Sequence, residues 1–260
     1  MAWPSIPASP GSRAAGAGRR RGWRECGAGA EMERICEPEL MDDPLQARSY
    51  ADADFSASDA ALVERILDLA GPGGLGSKVV DLGCGPGNIS FRLAAALPQV
   101  HVLGIDGAAA MLALAERQRG RDPLRWSRLR FLQACLPLPV GTLAPLPVSF
   151  APPYSALISN SLLHHLPDPA VLWRAIAQLA APGALVVVRD LRRPQDEATL
   201  QTLVDRHVAT APAVLRRDFS NSLRAAFLPE EVGAQLAAAG LSSLSVSSLE
   251  DRYLEVYGQL

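Results

Sequence analysis

An acid, three glycines at alternate positions and a second acid carry the first chemical signal in the chain. Asp81, Gly83, Gly85 and Gly87 lie within "VVDLGCGPGNIS", residues 79–90, and Asp106 closes the run "LGID". Three close glycines are costly to order, because glycine loses more freedom on folding than any other residue. A glycine-rich turn between strand and helix, at the carboxyl edge of a parallel sheet, is where such folds bind nucleotides. The dinucleotide fingerprint is G-x-G-x-x-G, whose third glycine lets helix and strand pack closely. Counted from Gly83 that position is Asn88, and counted from Gly85 it is Ser90. The spacing therefore argues against a pyrophosphate ligand. Asp106, about 20 residues past the loop, stands where a carboxylate accepts both hydroxyls of a ribose.

The elements around these residues alternate in type. "DAALVERILDLA" puts Leu62, Ile66 and Leu69 on one helical face, and Gly71-Pro72-Gly73 stops it. "KVVDL", "HVLGID", "LRFLQA" and "YSALISN" read as strands, and "ALVVVRDL" is the most hydrophobic of them. "NISFRLAAAL", "AAAMLALAERQ" and "PAVLWRAIAQLA" fall between them with helical spacing, the last stopped by Pro182-Gly183. Strands alternating with helices imply a parallel sheet covered on both faces. Residues 140–152 form a Pro-rich loop before the fourth strand, and residues 196–218 read as irregular helix interrupted by Pro212. "LPEEVGAQLAAAGL" is a helix with Pro229 in its first turn and Gly240 at its end. Two β-rich runs joined by Glu250-Asp251 close the chain as a hairpin, so the last strand runs antiparallel to its neighbour.

Composition bounds the rest. The chain has 260 residues, 48% hydrophobic and 20% charged, which is enough for one large domain with its own core. Residues 1–31 have no apolar period and carry five arginines before the first acid, Glu25. From Met32 onward 20 basic residues face 25 acidic ones, a net charge of −5. A transit peptide, a nucleic-acid arm, and a disordered or spurious extension with Met32 or Met41 as the true start are the three readings of this tail; the last is favoured. Cys26, Cys36, Cys84 and Cys135 form no CxxC pair, which points to a reducing, cytoplasmic setting and no structural metal. The apolar runs are too short to span a bilayer.

Three consecutive stretches, "VVDLGCGPG", "VLGIDGAAAMLALA" and "ALISNSLLHHLPDP", resemble the class I S-adenosylmethionine-dependent methyltransferases, over residues 50–190. The resemblance implies an α/β fold: a Rossmann-like, seven-stranded, mostly parallel sheet with helices on both faces and an antiparallel C-terminal hairpin strand. Residues 42–260 would be the methyltransferase domain, with 190–227 as a cap over the substrate. By the same resemblance, S-adenosylmethionine lies with its methionine and ribose parts against Gly83, Cys84, Gly85 and Gly87. Asp106 and Gly107 meet the ribose, Met111 packs near the adenine, and Asp81 helps hold the loop and the cofactor's amino group. Asn160 and Ser161 line the side of methyl transfer. Many relatives carry an acid after the third strand for the adenine amino group; here the stretch is "FLQACLPLP", and Gln133 would have to accept through its amide oxygen.

The substrate side is less determined. A sulfonium methyl is already activated, so alignment is the main demand, and a base is needed only if the acceptor must lose a proton. His164, His165 and His207 are the candidates, His165 foremost, although "LLHHL" is common in the family whatever the substrate. Tyr50, within "QARSYADADFS", lies in the segment expected to cover the cofactor. Arg189, Arg192 and Arg193 stand at and just after the fifth strand, with Arg216, Arg217 and Arg224 beyond. Either these arginines are solvated or paired with Asp190, Asp196 and Asp218, or Arg192 and Arg193 hold an anionic acceptor in a guanidinium fork. The acidic body and the lack of an aromatic-interleaved basic face favour a small-molecule acceptor over nucleic acid. A nicotinamide-dependent oxidoreductase is a second reading, weakened by Asn88 and by the absence of a Tyr-x-x-x-Lys pair. A non-catalytic scaffold is a third, and the intact glycines and Asp106 speak against it.

Overall fold

The computed structural model describes residues 32–37, 44–51 and 53–260. The extension 1–31, with Cys26, and the alternative start Met41 lie outside the described residues.

Four runs of apolar residues become strands because both of their faces are covered. These are β1 (Lys78–Leu82), β2 (His101–Asp106), β4 (Tyr154–Asn160) and β5 (Ala180–Leu191). With β3 (Leu129–Gln133), β6 (Ser245–Leu249) and β7 (Tyr253–Gln259) they form one seven-stranded sheet in the order β3-β2-β1-β4-β5-β7-β6. The first five strands are parallel; β7 runs antiparallel to both β5 and β6, as the terminal hairpin requires. Successive strand side chains point to opposite faces. Val79, Val102 and Ile158 thus pack under α2 (Ser56–Ala70) and α3 (Asn88–Ala96), while Val80, Leu103 and Leu157 pack under α5 (Ala170–Leu179) and α8 (Pro229–Ala238).

Two smaller cores sit at the carboxyl edge of the sheet. One joins α1 (Pro44–Ala51) to α4 (Ala109–Arg119) through Ala47, Tyr50, Phe55, Ala108 and Met111. The other joins α6 (Glu197–His207) and α7 (Ala213–Ala225), the two helices that flank Pro212, through Leu203, Phe219 and Leu223 over Leu191 and Tyr253. Residues 140–152 contain no regular element, as expected.

One boundary differs from the sequence reading. α5 ends at Leu179, not at Pro182-Gly183, and residues 180–183 open β5 instead. Tyr154 faces Ala180 but Ala156 faces Leu185, so the extra residues are taken up as an irregularity in the ladder. That is a place where a strand tolerates proline, which has no N–H to donate.

Candidate active site

From β1 the chain crosses to β2 on one side, and after β3 it returns to β4 on the other. The crevice at the carboxyl ends of β1 and β4 is therefore the topological switch point, where open α/β sheets bind ligands. A cleft of about 680 Å³, counted out to its open mouth, lies there. Its walls include Asp81, Gly83, Cys84 and Gly85 after β1, Asp106 and Met111 after β2, and Asn160, Ser161 and His165 after β4; Tyr50 of α1 lines it too. The sequence had singled out every one of these.

The three loop glycines serve different ends. A Cβ on Gly83 would meet Leu162 Cβ at 2.8 Å, and one on Gly87 would meet Phe131 Cζ at 2.8 Å, so these two are demanded by internal packing. Gly85, at φ +54°, has nothing within 4 Å of its Cβ position, and its open side borders the cleft. Gly87 does not line the cleft, which corrects the expectation that all three glycines touch the cofactor.

Asp106 holds the loop. Its Oδ2 accepts from Gly85 N–H at 2.7 Å and its Oδ1 from Ala108 N–H at 2.8 Å. Burial raises its pKa above the usual carboxylate value against the pull of those two donors. Asp81 is buried and accepts from Ser90 Oγ at 2.6 Å; burial pushes its pKa to about 6. Asp59, in the first turn of α2, is likewise pushed to about 6 by burial, with Arg92 Nε 4.0 Å away as its nearest cation. Sequence reasoning missed Asp59. The signal was present: with Leu62, Val63 and Ile66 it occupies the buried stripe of an amphipathic helix, where an acid is out of place.

Other expectations fall outside the cleft. Gln133 is exposed, and its Nε2 donates to the Gly107 carbonyl at 3.4 Å, so neither residue lines the wall. Arg193 is buried against Glu231, at 2.6 Å, and donates to the Ala226 carbonyl; Arg192 reaches the carbonyls of Glu250 and Asp251 in the hairpin turn. Neither arginine faces the cleft, because the chain after β5 turns away under α7 and α8. Arg189 pairs with Glu255, its register partner on β7, at 2.9 Å. Of the other arginines, Arg217 pairs with Asp218 and Arg224 with Glu197. His207 bonds Asp251 at 2.9 Å beside Arg252, away from the cleft. His164 is buried, with Nδ1 2.5 Å from Asp190 Oδ1.

A further residue had no signal in the sequence. Glu37 ends a strap, residues 32–37, that crosses α7 and places a carboxylate 2.6 Å from His165 Nδ1. Burial works against its ionisation, but the hydrogen bond and charge of His165 outweigh that and hold its pKa at about 2.

A glycine loop at the switch point with a carboxylate closing the next strand defines a domain that binds a ribose-bearing cofactor. Residues 80–186 match the family model described as a methyltransferase domain, and this match, with the fold and the relatives that follow, supports a class I S-adenosylmethionine-dependent methyltransferase. It is 35% identical over 147 residues to a trans-aconitate 2-methyltransferase of Methylobacterium nodulans, a match covering 56% of this chain and 48% of that one. An uncharacterized methyltransferase of Mycobacterium bovis is 30% identical over 149 residues, 57% of this chain and 61% of its own. The chain thus spans about half the length of the curated relatives it matches. Among solved structures, an S-adenosylmethionine-dependent methyltransferase from Aquifex aeolicus superposes with a TM-score of 0.57 at 19% identity, covering 84% of this chain and 98% of that one.

The cleft fits that family's cofactor on its charge. Asp59, Asp81 and Asp106 converge on a cleft whose described lining contains no lysine or arginine. Three carboxylates raised by burial, of which Asp59 alone has an arginine near it, are what a ligand carrying positive charge would satisfy.

Proposed function

We propose that the protein transfers a methyl group from S-adenosylmethionine to a small-molecule acceptor. The observation that carries this reading is the set of three burial-raised carboxylates around the open side of Gly85. When bound, the cofactor supplies an activated methyl on a positively charged sulfur. The chain's own residues bind and orient. Asp106 is placed for ribose hydroxyls, Asp81 and Asp59 for the cationic amino-acid end, and Met111 and Ile89 for apolar contact. Asn160, Ser161 and His165 form the remaining wall, where an acceptor would approach. α6 and α7 are read as the cap: they have their own core, and α7 packs on both α1 and the 163–165 turn. The arginines read as an anion fork are engaged elsewhere, which favours an acceptor that needs no guanidinium. Among the described residues no helix is long and apolar enough to cross a membrane.

Calorimetry with S-adenosylhomocysteine tests the reading, with NAD as control. The expected result is micromolar binding of the first and none of the second. Asp106→Ala removes two charge-assisted hydrogen bonds to the ribose, each worth about 1.5–3 kcal/mol, and should weaken binding by tens of fold or more. Unchanged affinity in that variant refutes the ribose assignment.

A further inference from the structure

His165 differs from its neighbour in its place in the fold. Both His164 and His165 have an Nε2 that is buried and without a hydrogen-bond partner among the described residues. His164 does not line the cleft; His165 does, beside Tyr50, Asp106 and Ser161. A buried ring nitrogen left without a partner is costly, so its retention at a cleft wall calls for an explanation in terms of what enters the cleft.

The strap determines which nitrogen of His165 carries the proton. Glu37 is ionised, so it can only accept, and at 2.6 Å the proton between it and His165 Nδ1 belongs to the imidazole. In the neutral ring, Nε2 is then a bare lone pair. Burial and the neighbouring His164 push the His165 pKa below the ordinary histidine value, against the pull of Glu37, so the neutral ring prevails at pH 7. The groups facing it are Glu37 from the strap, His164 from its own turn, Asp106 from β2 and Asp190 from β5.

Each member of this arrangement is itself held. Glu37 Oε1 accepts from Ser222 Oγ of α7 at 2.6 Å. Arg34 fastens the strap, donating to the carbonyls of Ala225 at 2.6 Å, His164 at 3.1 Å and Leu166 at 3.0 Å, with its guanidinium 3.9 Å above the Phe227 ring. His164 lies 4.0 Å from His165, ring centre to ring centre, and is fixed by Asp190, which also accepts from the Leu163 and Leu191 amides. A base oriented by a hydrogen-bonded carboxylate is the arrangement that activates a protic nucleophile.

We infer that His165 Nε2 is the proton acceptor for methyl transfer, that Glu37 is its positioning residue, and that the acceptor presents a hydroxyl still protonated at neutral pH. This rests on the methyltransferase reading above. As the acceptor oxygen bonds to the methyl carbon, the carbon–sulfur electron pair returns to sulfur, leaving a neutral thioether. The hydroxyl proton passes to Nε2, and the Glu37 carboxylate faces the imidazolium that results until it releases the proton to solvent.

The test is the protonation state of His165, read by long-range proton–nitrogen NMR on the full chain saturated with S-adenosylhomocysteine. The wild type should show the Nδ1–H tautomer at pH 7. Glu37→Gln keeps a hydrogen-bond acceptor but removes the charge, so the His165 pKa should fall by at least one unit while the affinity for S-adenosylhomocysteine stays within twofold. An Nε2–H tautomer, or a pKa unchanged in Glu37→Gln, overturns the inference. So does a zinc- or manganese-dependent rise in melting temperature that abolishes the titration, since donor atoms of Glu37, His164 and His165 lie within 4.8 Å of one another. Failure of S-adenosylhomocysteine to bind the wild type would instead refute the methyltransferase reading itself.

Discussion

Replacing Asp81 by asparagine separates the cost of an ionised buried acid from its use. The carboxyl is buried, and its pKa stands at about 6 through burial, with Asp106 adding to the rise and the Ser90 hydrogen bond opposing it. Between roughly pH 4, the unfolded value, and pH 6 the folded protein keeps a proton that the unfolded chain has lost. Stability therefore falls as pH rises through that window and stays reduced above it. About two pKa units correspond to roughly 3 kcal/mol. Asparagine resembles the protonated acid and still accepts from Ser90. About half of the roughly 3 kcal/mol is already lost at pH 5, so the stability gap between Asp81→Asn and wild type should widen in favour of the variant by about 1.4 kcal/mol from pH 5 to pH 8. For a chain of this size that is roughly 3–6 °C in melting temperature. Asp59 titrates in the same range in both proteins and cancels from the difference. The assay is thermal unfolding of cofactor-free protein at the two pH values, with calorimetry alongside. S-adenosylhomocysteine should bind the variant at least tenfold more weakly at pH 8. A gap that stays constant between pH 5 and pH 8 would show that Asp81 does not bear the ionisation cost.

The glycine loop supplies a paired prediction. Gly87→Ala, at φ +89° and facing Phe131 and Phe91, should cost about 1–3 kcal/mol of stability in urea unfolding; Gly85→Ala should cost less stability but weaken S-adenosylhomocysteine binding, because its methyl enters the cleft. A chain beginning at Met32 should keep the melting temperature of the full chain. One beginning at Met41 should melt several degrees lower, having lost Arg34, Glu37 and their hydrogen bonds, and equal melting of the two would show that the strap contributes nothing. In wild-type protein, affinity for S-adenosylhomocysteine should fall by up to a hundredfold per unit as pH drops below about 6, since binding its ammonium then requires both Asp81 and Asp59 to lose protons. Calorimetry across pH 5 to 8 reads that slope, and a flat profile would contradict the charge argument.

Most of the sheet was legible because its signals are local. β1, β2 and β4 begin and end where "KVVDL", "HVLGID" and "YSALISN" do, since a strand buried on both faces is an uninterrupted apolar run bounded by turn residues. The end of α5 was not legible. Pro182 reads as a helix stop, and only the register of β4 against β5 shows it inside an irregular strand start. The cofactor side of the site was legible for the same reason as the strands: Gly85, Asp81 and Asp106 occupy fixed distances from strand ends, and the topology does the rest.

The acceptor side depends on contacts between residues far apart in sequence, and there spacing misleads. Arg192 and Arg193 stand at the carboxyl edge of β5, as a substrate-binding pair would, yet Glu231 of α8 and the hairpin carbonyls of Glu250 and Asp251 claim them. Glu37 lies 128 positions from its partner His165, in a stretch that carries no motif and adjoins an extension read as dispensable. Its role becomes visible only when Arg34 is seen reaching the carbonyls of the 163–165 turn and its neighbour Leu166. A strap held by one arginine then brings a carboxylate to a histidine whose own position follows from the strand it trails. The cofactor half of the cleft is thus built by the parallel sheet, and the acceptor half by segments that the sheet recruits. The hydroxyl-activating role of His165 stands or falls with that recruitment, because without Glu37 nothing on the described side of its Nδ1 would keep Nε2 bare.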